Sequence, residues 1–288
     1  MAAVKSTAVA TKPKAIYVDT SKCTGCRGCE VACKQWNSLP ADPQPFAGSY
    51  QTKRDFAPNT YTFVRMNEVA TSDGEVRWLF RKSQCMHCTD AACVEVCPKN
   101  AIHHTDYGTV YRDADKCIGC GYCVNNCTFG ITKLDEVAHK ATKCNFCLDR
   151  VEAGLEPACA KTCSTGAIQF GDREQMLKLA HQRLAALKPG FPEARIYGEQ
   201  ELGGTGFIYL LTDRPEKFGL PENPVVPWTV KIWQHVVRPA GEVMLGGTVL
   251  ALLAAALLGA GKTGKVDKAA RTGSGTGSNE GGATDAKS

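Results

Sequence analysis

The sequence predicts an α+β protein organised by metal centres more than by one large apolar core, with a single membrane-length helix near its C-terminal end. Three observations predict this: sixteen cysteines in four groups of four, an internal duplication of the segments that carry them, and an uncharged run from Val243 to Gly261. Composition agrees, because twenty-eight glycines and fourteen prolines imply many turns, and 43% hydrophobic residues is modest for a chain that must also build a core. Metal-binding free energy becomes folding free energy in such chains, so the apoprotein is expected to be largely unfolded. Net charge is +5 with both signs interspersed. Without a long basic run to follow phosphates, nucleic acid is not an expected partner.

The cysteine groups are Cys23, Cys26, Cys29, Cys33; Cys85, Cys88, Cys93, Cys97; Cys117, Cys120, Cys123, Cys127; and Cys144, Cys147, Cys159, Cys163, with none left over. Groups one and three have the spacing C-x2-C-x2-C-x3-C, in which three thiolates serve one cubane cluster and the fourth crosses to another. A short loop with a thiolate at every third position wraps such a cage from several sides while its amides point inward. Sixteen cysteines then supply four 4Fe–4S clusters. A disulfide framework is the blander reading, but even-numbered frameworks belong to short secreted chains, and cysteines two or three apart in a tight loop are poorly placed to bridge. Structural zinc takes two C-x2-C pairs per ion and has no use for a third cysteine within the same seven residues.

The duplication supports the cluster reading. Lys22-Cys23-Thr24-Gly25-Cys26 returns as Lys116-Cys117-Ile118-Gly119-Cys120, and Cys97-Pro98-Lys99-Asn100-Ala101-Ile102 returns more loosely as Cys163-Ser164-Thr165-Gly166-Ala167-Ile168. The expected fold is therefore two ferredoxin-like halves binding four 4Fe–4S clusters, plus one C-terminal transmembrane helix. Spacing alone leaves open which groups partner. The expected division is an N-terminal extension at 1–20, the double ferredoxin-like domain at 21–170 with a hairpin insert at 34–84, a helix and strand extension with linker at 171–238, the membrane helix at 239–261, and a disordered tail at 262–288.

Within the insert, Tyr61 to Val69 and Val76 to Lys82 alternate as strands about a turn at Asp73-Gly74. Its aromatics Trp36, Phe46, Tyr50, Phe56, Tyr61 and Phe63 serve either a core or a subunit contact. Asp172 followed by Gln175 resembles a capping box, and the apolar residues from Met176 to Leu187 repeat helically until Lys188-Pro189-Gly190. That helix is expected to cover cluster loops. Ala194 to Tyr197 and Phe207 to Leu211 read as strands around Gly203-Gly204-Thr205-Gly206, which lacks the lysine and spacing of a phosphate loop.

Val243 to Gly261 spans roughly 28 Å at 1.5 Å rise per residue, close to a bilayer's hydrocarbon thickness. Gly247, Ala251, Ala255 and Gly259 form a small-residue stripe that lets another membrane helix approach, which implies a membrane subunit as partner and contact with lipid. Trp228 and Trp233 precede it where interfacial aromatics belong, and Lys262, Lys265, Lys268 and Arg271 follow it, which orients the tail to the cytoplasm. Residues 1–15 carry no apolar signal region or paired arginines. His87, inside the Cys85–Cys88 loop, reads as solvent-facing or packed more than as a tuner of cluster potential.

From Ser21 to Phe170 the chain resembles the four-cluster electron-transfer subunits of molybdenum or tungsten oxidoreductases. Trp78-Leu79-Phe80-Arg81-Lys82 before Cys85-Met86-His87-Cys88, then Cys117-Ile118-Gly119-Cys120-Gly121-Tyr122-Cys123, Leu202 to Gly206 and the terminal helix are most similar to formate dehydrogenase beta subunits. The resemblance implies nested pairing: Cys23, Cys26, Cys29 with Cys163; Cys144, Cys147, Cys159 with Cys33; Cys85, Cys88, Cys93 with Cys127; and Cys117, Cys120, Cys123 with Cys97. It also implies a molybdopterin-type catalytic alpha subunit and a membrane cytochrome b gamma subunit as partners. By the same resemblance, the cluster domain is periplasmic on a bacterial inner membrane, exported with a signal-bearing partner, and haem belongs to the membrane subunit, so that His235 is interfacial. Thr128 and Ser164 stand where the family usually has a proline that turns the chain from the cluster, so local geometry is expected to differ there.

No nucleophile, acid–base pair or substrate pocket is recognisable, so the chain is expected to be a non-catalytic subunit relaying electrons from formate. A sulfur-compound or oxyanion reductase subunit is the alternative within the class. A zinc-bound membrane scaffold is the alternative outside it.

Overall fold

The computed structural model describes residues 12–46, 48–70 and 74–260. The expected disordered tail, the cations after the membrane run and most of the N-terminal extension lie outside them. The chain divides into two units, Met1–Val237 and Arg238–Ser288.

In the first unit, strand β1 (Lys14–Asp19) leads into the first cysteine group and helix α1 (Gly28–Trp36) leaves it. β2 (Thr62–Ala70) and β3 (Val76–Gln84) form the expected hairpin, in antiparallel register from Thr62↔Gln84 to Ala70↔Val76. Asp73 of the expected turn lies outside the described residues. β3 runs two residues past the expected end because the Thr62 hydroxyl donates to Ser83 O and both Ser83 and Gln84 are buried. The second cysteine group carries α2 (Ala92–Glu95) and the hairpin β4 (Ile102–His104) and β5 (Val110–Arg112). The third repeats this plan with α3 (Tyr122–Asn125), β6 (Lys133–Asp135) and β7 (Lys140–Thr142), and the fourth carries α4 (Leu148–Glu152) and α5 (Ala158–Lys161). There follow β8 (Ile168–Asp172), α6 (Arg173–Leu187), β9 (Arg195–Tyr197), β10 (Phe207–Leu211) and α7 (Trp228–Ile232), with a π-helical turn at Trp233–Val237.

Four strands distant in sequence form one sheet, ordered β8-β1-β10-β9. β1 pairs antiparallel with β8 from Lys14↔Asp172 to Val18↔Ile168, and parallel with β10 from Ile16↔Phe207 to Asp19↔Leu210. The period of two sends alternate side chains to opposite faces. Ile16, Val18, Phe207, Tyr209 and Leu211 join the core that includes Cys29, Phe146 and Cys159. Ala15, Tyr17, Ile208 and Leu210 face the other way and pack with Ala180 and the apolar stripe of α6. Each large apolar side chain so buried stabilises the fold by about 1.5–3 kcal/mol.

Two expectations are corrected here. Helix α6 covers the sheet face opposite the cysteine loops and not the loops themselves, packing on β1, β10, β8 and β9. Asp172 makes no side-chain capping bond. Its carboxylate instead accepts from Lys14 Nζ at 2.6 Å, which clamps the first register pair of β1 and β8.

The second unit's described residues form one helix, α8 (Arg238–Ala260). Its stretch Arg238–Leu258 has mean hydropathy 1.9 and is long and apolar enough to cross a membrane.

Candidate metal centres

Pairing β1 with β8 joins the two ends of the four-group segment, so the outer groups meet: α1 packs against α5. The inner groups meet separately, with α2 against α3. Three cavities follow from this nesting. Cys23, Cys26, Cys29 and Cys163 line one, with Val18, Val64, Lys82 and Ile168. Cys85, Cys88, Cys93 and Cys127 line a second, and Cys97, Cys117, Cys120 and Cys123 a third. The remaining four thiols are also neighbours, since Cys33 lies within electrostatic reach of Cys147 and Cys159, and Cys144 of Cys33 and Cys147.

Neighbouring sets lie within electrostatic reach of one another in a fixed sequence. Cys29 senses Cys159, Cys144 senses Cys85, and Cys93 senses Cys123. The four sets therefore form a row: Cys23/26/29/163, Cys33/144/147/159, Cys85/88/93/127, Cys97/117/120/123. Among the described residues no three His, Cys, Asp or Glu side chains are disposed to hold a single metal ion. Four thiols ringing one cavity is the donor set that a four-iron cage requires.

The loops share one backbone device. The residue before the second cysteine of every group is left-handed: Gly25 at φ 69°, His87 at 52°, Gly119 at 71° and Phe146 at 61°. This turns each C-x2-C loop back on itself, at a steric cost of about 1–2 kcal/mol where a side chain is present. Glycine removes that cost at two of the four positions. The other two carry rings that stack on each other edge to face, with centroids 4.9 Å apart. His87 is buried, not solvent-facing. Its Nδ1 accepts from the Val110 amide at 3.1 Å and its Nε2 has no partner. Burial, reinforced by Lys143 and Lys82, drives its pKa well below the ordinary histidine range, so the ring is neutral and acts as packing.

A second repeated turn closes three of the groups. The amides of Asn100, Gly130 and Gly166 donate to the carbonyls of Cys97, Cys127 and Cys163, and all three donors are left-handed. The residue after the cysteine is Pro98, Thr128 or Ser164, so the expected change of geometry at Thr128 and Ser164 is not found. The turn is set by the left-handed residue two positions further on. After two of these turns an amide reaches the sulfur itself, Ala101 N to Cys97 Sγ at 3.2 Å and Ile131 N to Cys127 Sγ at 3.4 Å.

Burial pushes the Cys29, Cys33 and Cys123 thiols up to about 12 and Cys147 up to about 11. Without metal these groups are neutral thiols at neutral pH, so loading must release their protons. Sequence reasoning missed two buried lysines, Lys82 and Lys143. Lys143 Nζ donates to Val110 O at 2.5 Å and Cys144 O at 3.0 Å. The available signal was a lysine one to three residues before a cysteine pair. The insert aromatics divide: Phe63 is buried, Phe56 and Tyr61 are half-buried, and Trp36, Phe46 and Tyr50 are exposed. The side chain of His235 lies outside the described residues.

Four cysteine sets in a row, three of them ringing a cavity, define a ferredoxin-type protein of electron transfer. Two models described as 4Fe-4S dicluster domain match residues 22–101 and 76–173. The formate dehydrogenase iron-sulfur subunit of Haemophilus influenzae is 42% identical over 243 residues, covering 82% of this chain and 78% of its own. The nitrate-inducible formate dehydrogenase iron-sulfur subunit of Escherichia coli is 40% identical over 227 residues, 77% of each chain. Formate dehydrogenase 2 subunit beta (cytochrome c-553) of Nitratidesulfovibrio vulgaris is 38% identical over 218 residues, 72% of this chain and 96% of its own. The chain belongs to the family of formate dehydrogenase iron–sulfur subunits. It is a non-catalytic subunit and carries four 4Fe–4S clusters.

Proposed function

We propose that the four sets in the row are the ligand sets of the four clusters, and that the chain relays electrons from a molybdenum or tungsten catalytic subunit to a membrane cytochrome b and quinone. Formate oxidation yields carbon dioxide, a proton and two electrons, and the clusters supply one-electron carriers between that reaction and the acceptor. The single observation that carries the reading is the row itself. In this reading Cys23/26/29/163 is one terminus and faces the catalytic subunit, and Cys97/117/120/123 is the other and lies nearest the membrane.

The chain's own residues hold the sulfurs in place, bury five of the sixteen cysteines and surround them with amides and cations. Beside the last set, Val96, Tyr122 and Asn126 share a groove with Thr229, Val230 and Trp233 of the segment that precedes α8. That supports the membrane-side assignment of this terminus, as α8 supports a membrane acceptor over a soluble cytochrome. The domain division at 21–170 and 171–238, a membrane span over 239–261, and a periplasmic cluster domain with its tail in the cytoplasm belong to the same proposal. The orientation rests on Lys262, Lys265, Lys268 and Arg271 following the span.

Cys123→Ser in the assembled complex tests it. Haem reduction by formate is expected to stop while formate oxidation by an artificial dye continues. Loss of dye-linked activity in a fully assembled variant would refute the assignment of termini.

A further inference from the structure

Lys82 lies near the end of β3 with 2% of its surface exposed. Its Nζ donates to Gln84 Oε1 at 3.0 Å and stands 5.0 Å from the centre of the Phe207 ring. The arrangement is braced: Gln84 Nε2 donates to the Tyr209 hydroxyl at 2.5 Å, which donates to Lys82 O at 2.7 Å. Among the described residues no carboxylate pairs with Lys82 within ion-pair distance. Glu30, a carboxylate in its field, accepts instead from the Val64 amide.

A buried ammonium is strongly unfavourable unless anions face it. The groups that face this one are cysteine sulfurs. Lys82 lines the cavity of Cys23, Cys26, Cys29 and Cys163, and Cys29, Cys144 and Cys159 lie within its electrostatic reach. By sequence Lys82 belongs to the Cys85 motif, three residues before it, but its charge is delivered to the two outer sets.

We infer that Lys82 is the fixed positive charge shared by the Cys23/26/29/163 and Cys33/144/147/159 centres, and that it raises the reduction potentials of those two. The inference rests on the ligand sets proposed above. A cluster gains negative charge with each electron, and a cation at the same depth stabilises the reduced form more than the oxidised one. One ammonium between two centres favours an electron on either of them, so it keeps the entry half of the row receptive without tying the electron to one site.

The test uses the full chain assembled with its partner subunits. Lys82→Gln removes the charge and keeps a polar side chain, whereas Lys82→Arg keeps the charge but spreads it over a larger group. Iron and labile sulfide are measured first: wild-type protein with far less than four clusters refutes the ligand sets, whatever Lys82 does. Redox titration followed by electron paramagnetic resonance then reads each centre. In Lys82→Gln, two centres are expected to bind their electron about tenfold less tightly, ~59 mV lower for a one-electron couple, and the other two to move far less. Lys82→Arg is expected to shift the same two by a smaller amount. Four unmoved potentials, or one uniform shift of all four, would overturn the inference. If Lys82→Gln does not assemble, Lys82→Met, which also removes the charge, decides in its place: a shift confined to two centres supports it, and unmoved potentials overturn it.

Discussion

Gly119 and Gly121 sit two residues apart in the third cysteine loop, both left-handed, and alanine at each should have opposite consequences. A Cβ on Gly119 would lie 2.4 Å from His139 O and 2.9 Å from His139 C. Both are backbone atoms, which cannot rotate away as a flexible side chain would. Ordinary contact begins near 3.4 Å, so the loop and the turn between β6 and β7 must part by about 1 Å. That turn is tied to the loop by Lys140 Nζ on Cys117 O at 2.6 Å and by the Ala141 amide on Cys117 Sγ at 3.5 Å. Metal–ligand distances tolerate only about 0.2 Å, and φ at +71° adds about 1–2 kcal/mol for any Cβ. A Cβ on Gly121, at φ +76°, meets nothing within 4 Å and carries only the backbone cost. Gly119→Ala is thus expected to lose one cluster in four, read as a quarter of the iron and one missing paramagnetic centre, while Gly121→Ala keeps all four. Full iron in Gly119→Ala, or equal loss in both variants, would refute the reasoning.

Two further outcomes concern stability. Burial alone would raise the Asp213 carboxyl, but the Arg214 amide, Lys217 and Arg77 override it and hold the pKa below the usual carboxylate range. A lowered folded pKa contributes stability that is present above the unfolded value near 4 and is lost as pH falls through the folded one. Asp213→Asn should therefore lower the unfolding free energy by about 1–3 kcal/mol, an amount constant from pH 5 to 8; a gap that closes within that window would contradict the assignment. Ala180→Leu places extra bulk where α6 meets Tyr17, Ile208 and Leu210 and should destabilise by about 1–3 kcal/mol. Because that face of the sheet is turned from the cysteines, cluster potentials should stay put, and a potential shift in this variant would count against the two-faced packing.

Much of the architecture was readable because it rests on local pattern. Alternation over 61–82 announced the β2–β3 hairpin, and thiolates at every third residue announced loops that wrap cages. Pairing was not readable, because groups one and three have the same spacing and the contact that separates inner from outer sets is the β1–β8 ladder, formed between segments about 150 residues apart. The stripe on α6 told that it buries a face but not which one. Asp172 had the sequence of a cap, yet a lysine from another strand claimed its carboxylate. Lys82 escaped notice because lysines usually lie at the surface, and only its placement among sulfurs makes burial tolerable.

The ladder between β1 and β8 also sets an order of manufacture. As the polypeptide leaves the ribosome, all eight cysteines of the inner pair have emerged by Cys127, whereas the outer pair waits for Cys163 and for β8 to find a partner synthesised far earlier. Iron delivery can therefore begin in the tail half of the row and end at its head, and truncation just before β8 should leave a product with half its complement of metal.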